Sequence, residues 1–128
     1  MTIEMTPRTI EKFRKQGFPI TPQSLHVLDS YPLPKLDDFH AVPEGKTYEE
    51  KRQKLLEQLR LLSPGLHEMI FHPSVETDGL KKITNAWQQR VWEDRLFADP
   101  VVQRFIKESG LQVTDWKEVM ARFKKASP

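Results

Sequence analysis

The stretch Leu66-His67-Glu68-Met69-Ile70-Phe71-His72 restricts the fold more than any other part of this chain. Ser63-Pro64-Gly65 breaks the backbone before it and Pro73 stops it afterwards, so a helix neither runs in nor continues out. Seven residues so bounded and rich in apolar side chains have the length of a buried strand. A helix precedes it. Thr47 with Glu50 forms a capping-box pattern, and Tyr48, Leu55, Leu56, Leu59 and Leu62 then recur along one face. Two helices follow it. Thr84 is placed to cap one carrying Ala86, Trp87, Val91 and Leu96; Asp99-Pro100 opens another carrying Val101, Val102, Phe105 and Ile106, closed by Gly110. Leu111-Gln112-Val113 reads as a short strand, and Thr114 as the cap of a last helix with Trp116, Val119, Met120 and Phe123 inward.

The order helix, strand, helix, helix, strand, helix predicts an α/β fold, helix-rich with few parallel strands joined by helical crossovers. Two strands make a marginal sheet, and the amphipathic helices want more sheet than these supply. Part of the α/β layer is therefore expected to lie elsewhere or to come from a partner. Residues 1–46 read differently. Thr6-Pro7, Ile10, Phe13 and Gly17 mark one short helix, and the segment onward through Pro19, Pro22, Pro32, Pro34 and Pro43 reads as an extended connection. The domain division is thus an extended N-terminal segment over 1–46 and an α/β part over 47–125.

Composition closes several classes. With no cysteine among its 128 residues the chain offers no disulfide framework, no thiolate zinc site and no cysteine nucleophile. The formal charge of +2 comes from 20 basic and 18 acidic groups that are interspersed. The basic clusters, such as Arg122 with Lys124 and Lys125, sit toward the C-terminal ends of expected helices, where the helix dipole favours them, so no nucleic acid is expected as a partner. No apolar run approaches the ~20 residues a bilayer span needs, and Met1 to Met5 lacks a signal-peptide pattern. A cytoplasmic protein without a membrane partner is the expectation.

Alternation along the strand puts Glu68, Ile70 and His72 on one face and His67, Met69 and Phe71 on the other. Glu68 and His72 stand roughly 13 Å apart at ~3.3 Å per residue, too far to ligate one metal ion but close enough to line one cavity. Ligands in parallel α/β sheets gather at the carboxyl ends of strands, which is where His72-Pro73-Ser74 falls. An imidazole there serves either as a general acid or base or as a cap for loop backbone groups. His67, on the other face, reads as packing. Glu44-Gly45-Lys46-Thr47 lacks the first glycine of a phosphate-binding loop, since His40 stands in its place. Asp37-Asp38 beside His40 has metal-ligand types, but it reads as a solvated loop. Trp87 and Trp92 read as core packing before sugar contacts.

Taken together, Leu62-Ser63-Pro64-Gly65-Leu66-His67-Glu68-Met69-Ile70-Phe71-His72-Pro73-Ser74, Trp87-x-x-Arg90, Leu96-Phe97-x-Asp99-Pro100-Val101-Val102, Gly110-Leu111 and Thr114-Asp115-Trp116 resemble the C-terminal part of the YdjC-like carbohydrate deacetylases. The resemblance runs from about Thr47 to Phe123. It implies a partial, distorted (β/α) barrel-like segment and metal-assisted removal of acetyl groups from N-acetylated sugars. It implies His72 as the catalytic residue, with Glu68, Ser74 and Arg90 contacting substrate or supporting it. It also implies a divalent metal, Mg or Zn, held by an early D-D-x-G element and by histidines of the N-terminal half, ligands that this chain lacks. The chain alone is therefore expected to be inactive, with its N-acetylated sugar substrate bound only once the site is completed by a complementing N-terminal half or a homo-oligomer. A non-catalytic helical module docking on a partner protein is the alternative.

Overall fold

Thr6 and Thr21 each close an extended stretch with a hydroxyl that accepts the N–H three residues on, Thr9 at 3.2 Å and Ser24 at 3.1 Å. Each is followed by a proline, whose fixed φ suits a first helical turn and whose missing N–H costs nothing there. Helices α1 (Pro7–Lys15) and α2 (Pro22–Asp29) result. At α2 the box is reciprocal, because the Thr21 N–H also donates to Ser24 Oγ at 2.9 Å. The second helix departs from the extended connection expected here, because Pro22 stands in the first turn of a helix, where a proline does not break the chain. The computed structural model describes residues 2–126, and these group into two compact units.

The first unit comprises residues up to 40, 64–68 and the stretch from 114. In it β1 (Thr2–Ile3) pairs in parallel with β2 (Lys35–Leu36), Ile3 opposite Leu36, whose side chain is buried. Phe13 and Phe18 meet edge to face at 5.5 Å between ring centres as the chain turns through Gly17 at φ +84°. Helix α7 (Trp116–Ala126) completes the unit. Its cap is Asp115, whose carboxylate accepts the Glu118 N–H at 2.8 Å, and not Thr114, whose hydroxyl donates to the Glu118 carboxylate at 2.6 Å. Trp116, expected inward, is exposed.

Two further strands, β3 (Asp38–Ala41) and β4 (His67–Ile70), form a second pair. The Asp37 N–H donates to the Leu66 carbonyl at 2.8 Å and the Val42 N–H to that of Ile70 at 3.1 Å, numbers that rise together as in a parallel pair. Asp38 to His40 is thus strand, and the solvated loop expected there does not form. β4 is shorter than the run from Leu66 to His72 because Pro73 has no N–H for a ladder and the His72 N–H goes to a side chain. His72 therefore lies beyond the strand, and the face it was expected to share with Glu68 ends at Ile70.

The second unit holds residues 41–63 and 69–113. Thr47 caps α3 (Tyr48–Arg60) by accepting the Glu50 N–H at 3.1 Å, while Glu50 reaches back one residue further than a capping box requires, to the Lys46 N–H at 2.8 Å. After the short α4 (Asp78–Ile83), Thr84 serves as its C-cap and not as the N-cap of α5 (Trp87–Ala98), which begins at Ala86 without a side-chain cap. α6 (Pro100–Glu108) opens at Asp99 as expected. Leu111 to Val113 is not a strand; nothing pairs with it in a ladder and Val113 is exposed. The core forms where α3, α5 and α6 face one another, with Leu55, Leu96 and Val102 fully buried and Trp92, Phe97, Phe105 and Ile106 packed around them. The amphipathic faces thus bury one another, and the expected need for more sheet to cover them is not met in that form. Among the described residues no helix is long and apolar enough to cross a membrane.

One carboxylate ties these three helices together. Asp99 ends α5 and starts α6, its Oδ1 accepting the Val101 N–H at 2.8 Å while its Oδ2 accepts the Tyr48 hydroxyl at 2.7 Å and Arg52 Nη1 at 3.0 Å. The Arg95 guanidinium lies over the Tyr48 ring at 4.2 Å. Burial, aided by the Asp99 bond, pushes the Tyr48 phenol up to about 12. The Tyr48 hydrogen bond, together with the Val101 N–H and Arg52, holds Asp99 below the usual carboxylate range. A carboxyl depressed on folding stabilises the fold above its unfolded pKa, near 4, and that contribution is lost as pH falls through the depressed folded value. Urea unfolding followed from pH 6 downward should therefore show stability declining below about pH 4. Asp99→Asn should flatten that acid limb, and Asp99→Ala should cost about 1–2 kcal/mol at neutral pH through the lost cap and hydroxyl bond.

Candidate functional site

Lys51 lies on the apolar face of α3, one turn after Tyr48 and one before Leu55, and is completely buried. An ammonium there needs all three of its hydrogens satisfied. It donates to Pro43 O at 3.0 Å, Gln89 Oε1 at 3.1 Å and Glu93 Oε1 at 3.1 Å. Gln89 also clasps Gly45, accepting its N–H at 3.2 Å and donating to its carbonyl at 2.7 Å. A Cβ on Gly45 would stand 2.5 Å from the Lys51 backbone nitrogen and 2.7 Å from the Thr47 carbonyl oxygen, so only glycine lets the loop lie this close to α3.

The other oxygen of Glu93 accepts the N–H of His72 at 2.5 Å. Two residues on, the Ser74 N–H donates to the Arg90 carbonyl at 3.2 Å. The His72-Pro73-Ser74 backbone is thereby fastened to α5 at two points, one of them a buried carboxylate already fixed by Lys51. The imidazole of His72 is exposed, while Ser74 and Arg90 are half-buried. Three of the four residues singled out from the sequence are thus brought together. The fourth, Glu68, is half-buried in the part of β4 that belongs to the first unit. An exposed imidazole on a clamped backbone can exchange a proton with a bound molecule without the loop having to be ordered first.

Lys51, Gln89 and Glu93 were not picked out from the sequence. The signal was a lysine inside an apolar stripe, and a glutamate at position 93 with Gln89 and Leu96 on its helical face. Trp92 packs against the core of its unit, in keeping with its reading as core.

A second cluster lies within the first unit. His40 Nε2 and His67 Nδ1 are 3.1 Å apart, their rings stacked at 5.3 Å between centres and 24° between planes. Asp38 Oδ2 is 3.9 Å from His40 Nε2, and its Oδ1 is held by the Lys12 ammonium at 2.7 Å. Lys12 also donates to the Phe39 carbonyl at 3.0 Å. Burial is the main reason that His40 titrates below the ordinary histidine range. His67, read as packing, is instead hydrogen-bonded to a residue from the other strand. Asp37 is spoken for as well, accepting the Leu66 N–H at 2.7 Å where Gly65, at φ +148°, leaves room for its carboxylate.

The divalent metal implied by the family resemblance does not fit around His72. The carboxylate that meets that backbone, Glu93, is committed to Lys51 and to the His72 N–H. Among the described residues no three His, Asp or Glu side chains group to hold a metal ion. A cleft of about 290 Å³ in the first unit, lined by Ile3, Met5, Leu25, Leu28, Asp29 and Lys35 among others, contains none of the residues singled out from the sequence.

A solved structure from Enterococcus faecalis V583, of a protein named for cellobiose-phosphate cleavage, is similar to this chain with a TM-score of 0.57 and 18% sequence identity. The match covers 87% of this chain and 45% of that one, so the chain spans a little under half the length of that protein. At this identity the likeness is one of fold. No family model matches the chain, and no curated protein matches it.

Removing one partner of a buried ion pair leaves the other charged and unsolvated, which costs roughly 3–5 kcal/mol. Glu93→Ala should lower the unfolding free energy measured in urea by that order, while the paired change Lys51→Met with Glu93→Leu should cost clearly less. Gly45→Ala should destabilise by about 1–3 kcal/mol, as overpacking against backbone does. In Glu93→Ala the amide proton of His72 should also exchange faster with solvent, measured by hydrogen exchange, because its acceptor is gone.

Proposed function

We propose that this chain forms the imidazole-bearing α/β part of a carbohydrate deacetylase acting on N-acetylated sugars, built on a partial (β/α) barrel. The observation that carries the reading is His72 within its P-G-L-x-E…H-P-S frame, presented to solvent on a backbone fixed by Glu93 and Arg90. The fold likeness supports it, since the matched protein is named for a phosphorylated disaccharide and thus also for carbohydrate chemistry. In this reading Ser74 and Arg90 contact the sugar beside His72, and His72 passes a proton to the amine nitrogen as the acetyl group leaves. Amide hydrolysis also needs an activated water, which a divalent metal supplies in such enzymes. Among the described residues no set around His72 fits that ion, so its ligands belong to a complementing half; the chain alone keeps the sugar contacts of His72, Ser74 and Arg90 but releases no acetate.

The reading is tested by titrating the protein with N-acetylglucosamine oligomers while recording amide NMR shifts, and by assaying acetate release with Mg²⁺ or Zn²⁺. Shifts clustered at His72, Ser74 and Arg90, lost in His72→Ala and unaccompanied by acetate release, are the expected result. Acetate release by the chain alone, abolished in His72→Ala, would keep the deacetylase and refute its incompleteness. Absence of any shift at these residues would sink the carbohydrate reading.

A further inference from the structure

We propose that His40 and His67 together form a binding site for one divalent transition-metal ion of the imidazole-preferring class, copper, nickel or zinc. The site is independent of the deacetylase reading, and its residues are not those that the family resemblance implies as ligands.

The geometry comes from the strand pair. β3 and β4 run side by side, and His40 and His67 stand on neighbouring strands with their rings stacked, 24° apart in plane. One of the two nitrogens, His40 Nε2 or His67 Nδ1, carries the proton of the hydrogen bond between them, and an ion would take the place of that proton. Their separation is 3.1 Å. Two imidazole nitrogens each ~2.0–2.1 Å from one ion are about 3.3 Å apart at a tetrahedral angle and about 2.9 Å apart at a square one. The observed separation falls between these values, so an ion could be bound with shifts of a few tenths of an ångström. The tautomer required places the remaining protons on His40 Nδ1 and His67 Nε2.

The surroundings select the ion. Lys12 holds its positive charge beside this pair through Asp38, and a site whose donors are nitrogens suits neither calcium nor magnesium, which bind through oxygen. Asp38 offsets part of that charge, but its Oδ1 is held by Lys12 and its Oδ2 is 3.9 Å from His40 Nε2. The protein therefore supplies two nitrogens and water completes the shell. Ions high in the Irving–Williams series, which favour imidazole, suit such a two-nitrogen site.

The test uses the full chain, stripped with chelator and titrated with Zn²⁺, Ni²⁺ and Cu²⁺ by calorimetry. One equivalent bound, copper tightest, and a loss of at least tenfold in affinity in both His40→Phe and His67→Phe are expected; each phenylalanine keeps a ring in the stack. Because either variant could fold poorly, substoichiometric Cu²⁺ is also added to the unsubstituted protein while imidazole NMR signals are recorded. Broadening confined first to His40 and His67 supports the site. Broadening that begins at His26 or His72, binding retained in both variants, or no binding by any of the three ions would overturn it.

Discussion

The buried pair of Lys51 and Glu93 is the interaction on which the second unit depends. A lysine completely removed from solvent is tolerable only if every hydrogen of its ammonium has an acceptor, and here the three acceptors come from α5 and from the loop before α3. That requirement fixes the angle at which α3 meets α5 and draws the Pro43–Gly45 loop against them. The same carboxylate then has one oxygen left, and it spends this on the His72 N–H. A packing constraint inside the unit thus becomes a positioning constraint at its surface. Charged pairs of this kind seldom add net stability over an apolar replacement. Their contribution is to leave one arrangement satisfied and the alternatives not.

Asp99 plays a related part at the other end of α5. It replaces a loop between α5 and α6, since one residue both ends the first helix and caps the second. With so short a connection the two helices cannot drift, and the Tyr48 hydroxyl with Arg52 brings α3 to the same carboxylate. The apolar core of Leu55, Leu96 and Val102 fills the space so defined. The helices cover one another, and for this reason uncovered helix faces cannot be used as evidence that sheet is missing.

Much of this was legible where a feature is local. Thr47 with an apolar stripe behind it, Asp99 before Pro100, and Thr6 before Pro7 each state a helix start in two or three residues, and each holds. Thr21-Pro22 states the same thing as Thr6-Pro7, although the five prolines of the segment suggest an extended chain. The errors elsewhere share another cause. Leu111 to Val113 has strand propensity but no neighbour to pair with, and propensity without a partner does not make a strand. The run from Leu66 to His72 was read too long at its end, because the N–H of His72 finds a carboxylate more than twenty residues away in the chain. Long-range partners of this kind, like the meeting of His40 and His67, follow from how strands are placed and not from any spacing in the sequence.

The end of β4 shows how far a strand-end argument carries. In a parallel sheet the carboxyl edge gathers ligands because loops there leave backbone and side chains free to converge. Here the strand ends two residues before His72, and the histidine owes its place to Glu93 and Arg90 on a helix. Its backbone is consequently set by the packing of α5 on α3, not by the pleat of the sheet. A substitution in the helix pair would therefore disturb the His72 backbone through Glu93. His72 thus stands on a helix-anchored loop, whose order depends on how rigidly Lys51 holds Glu93.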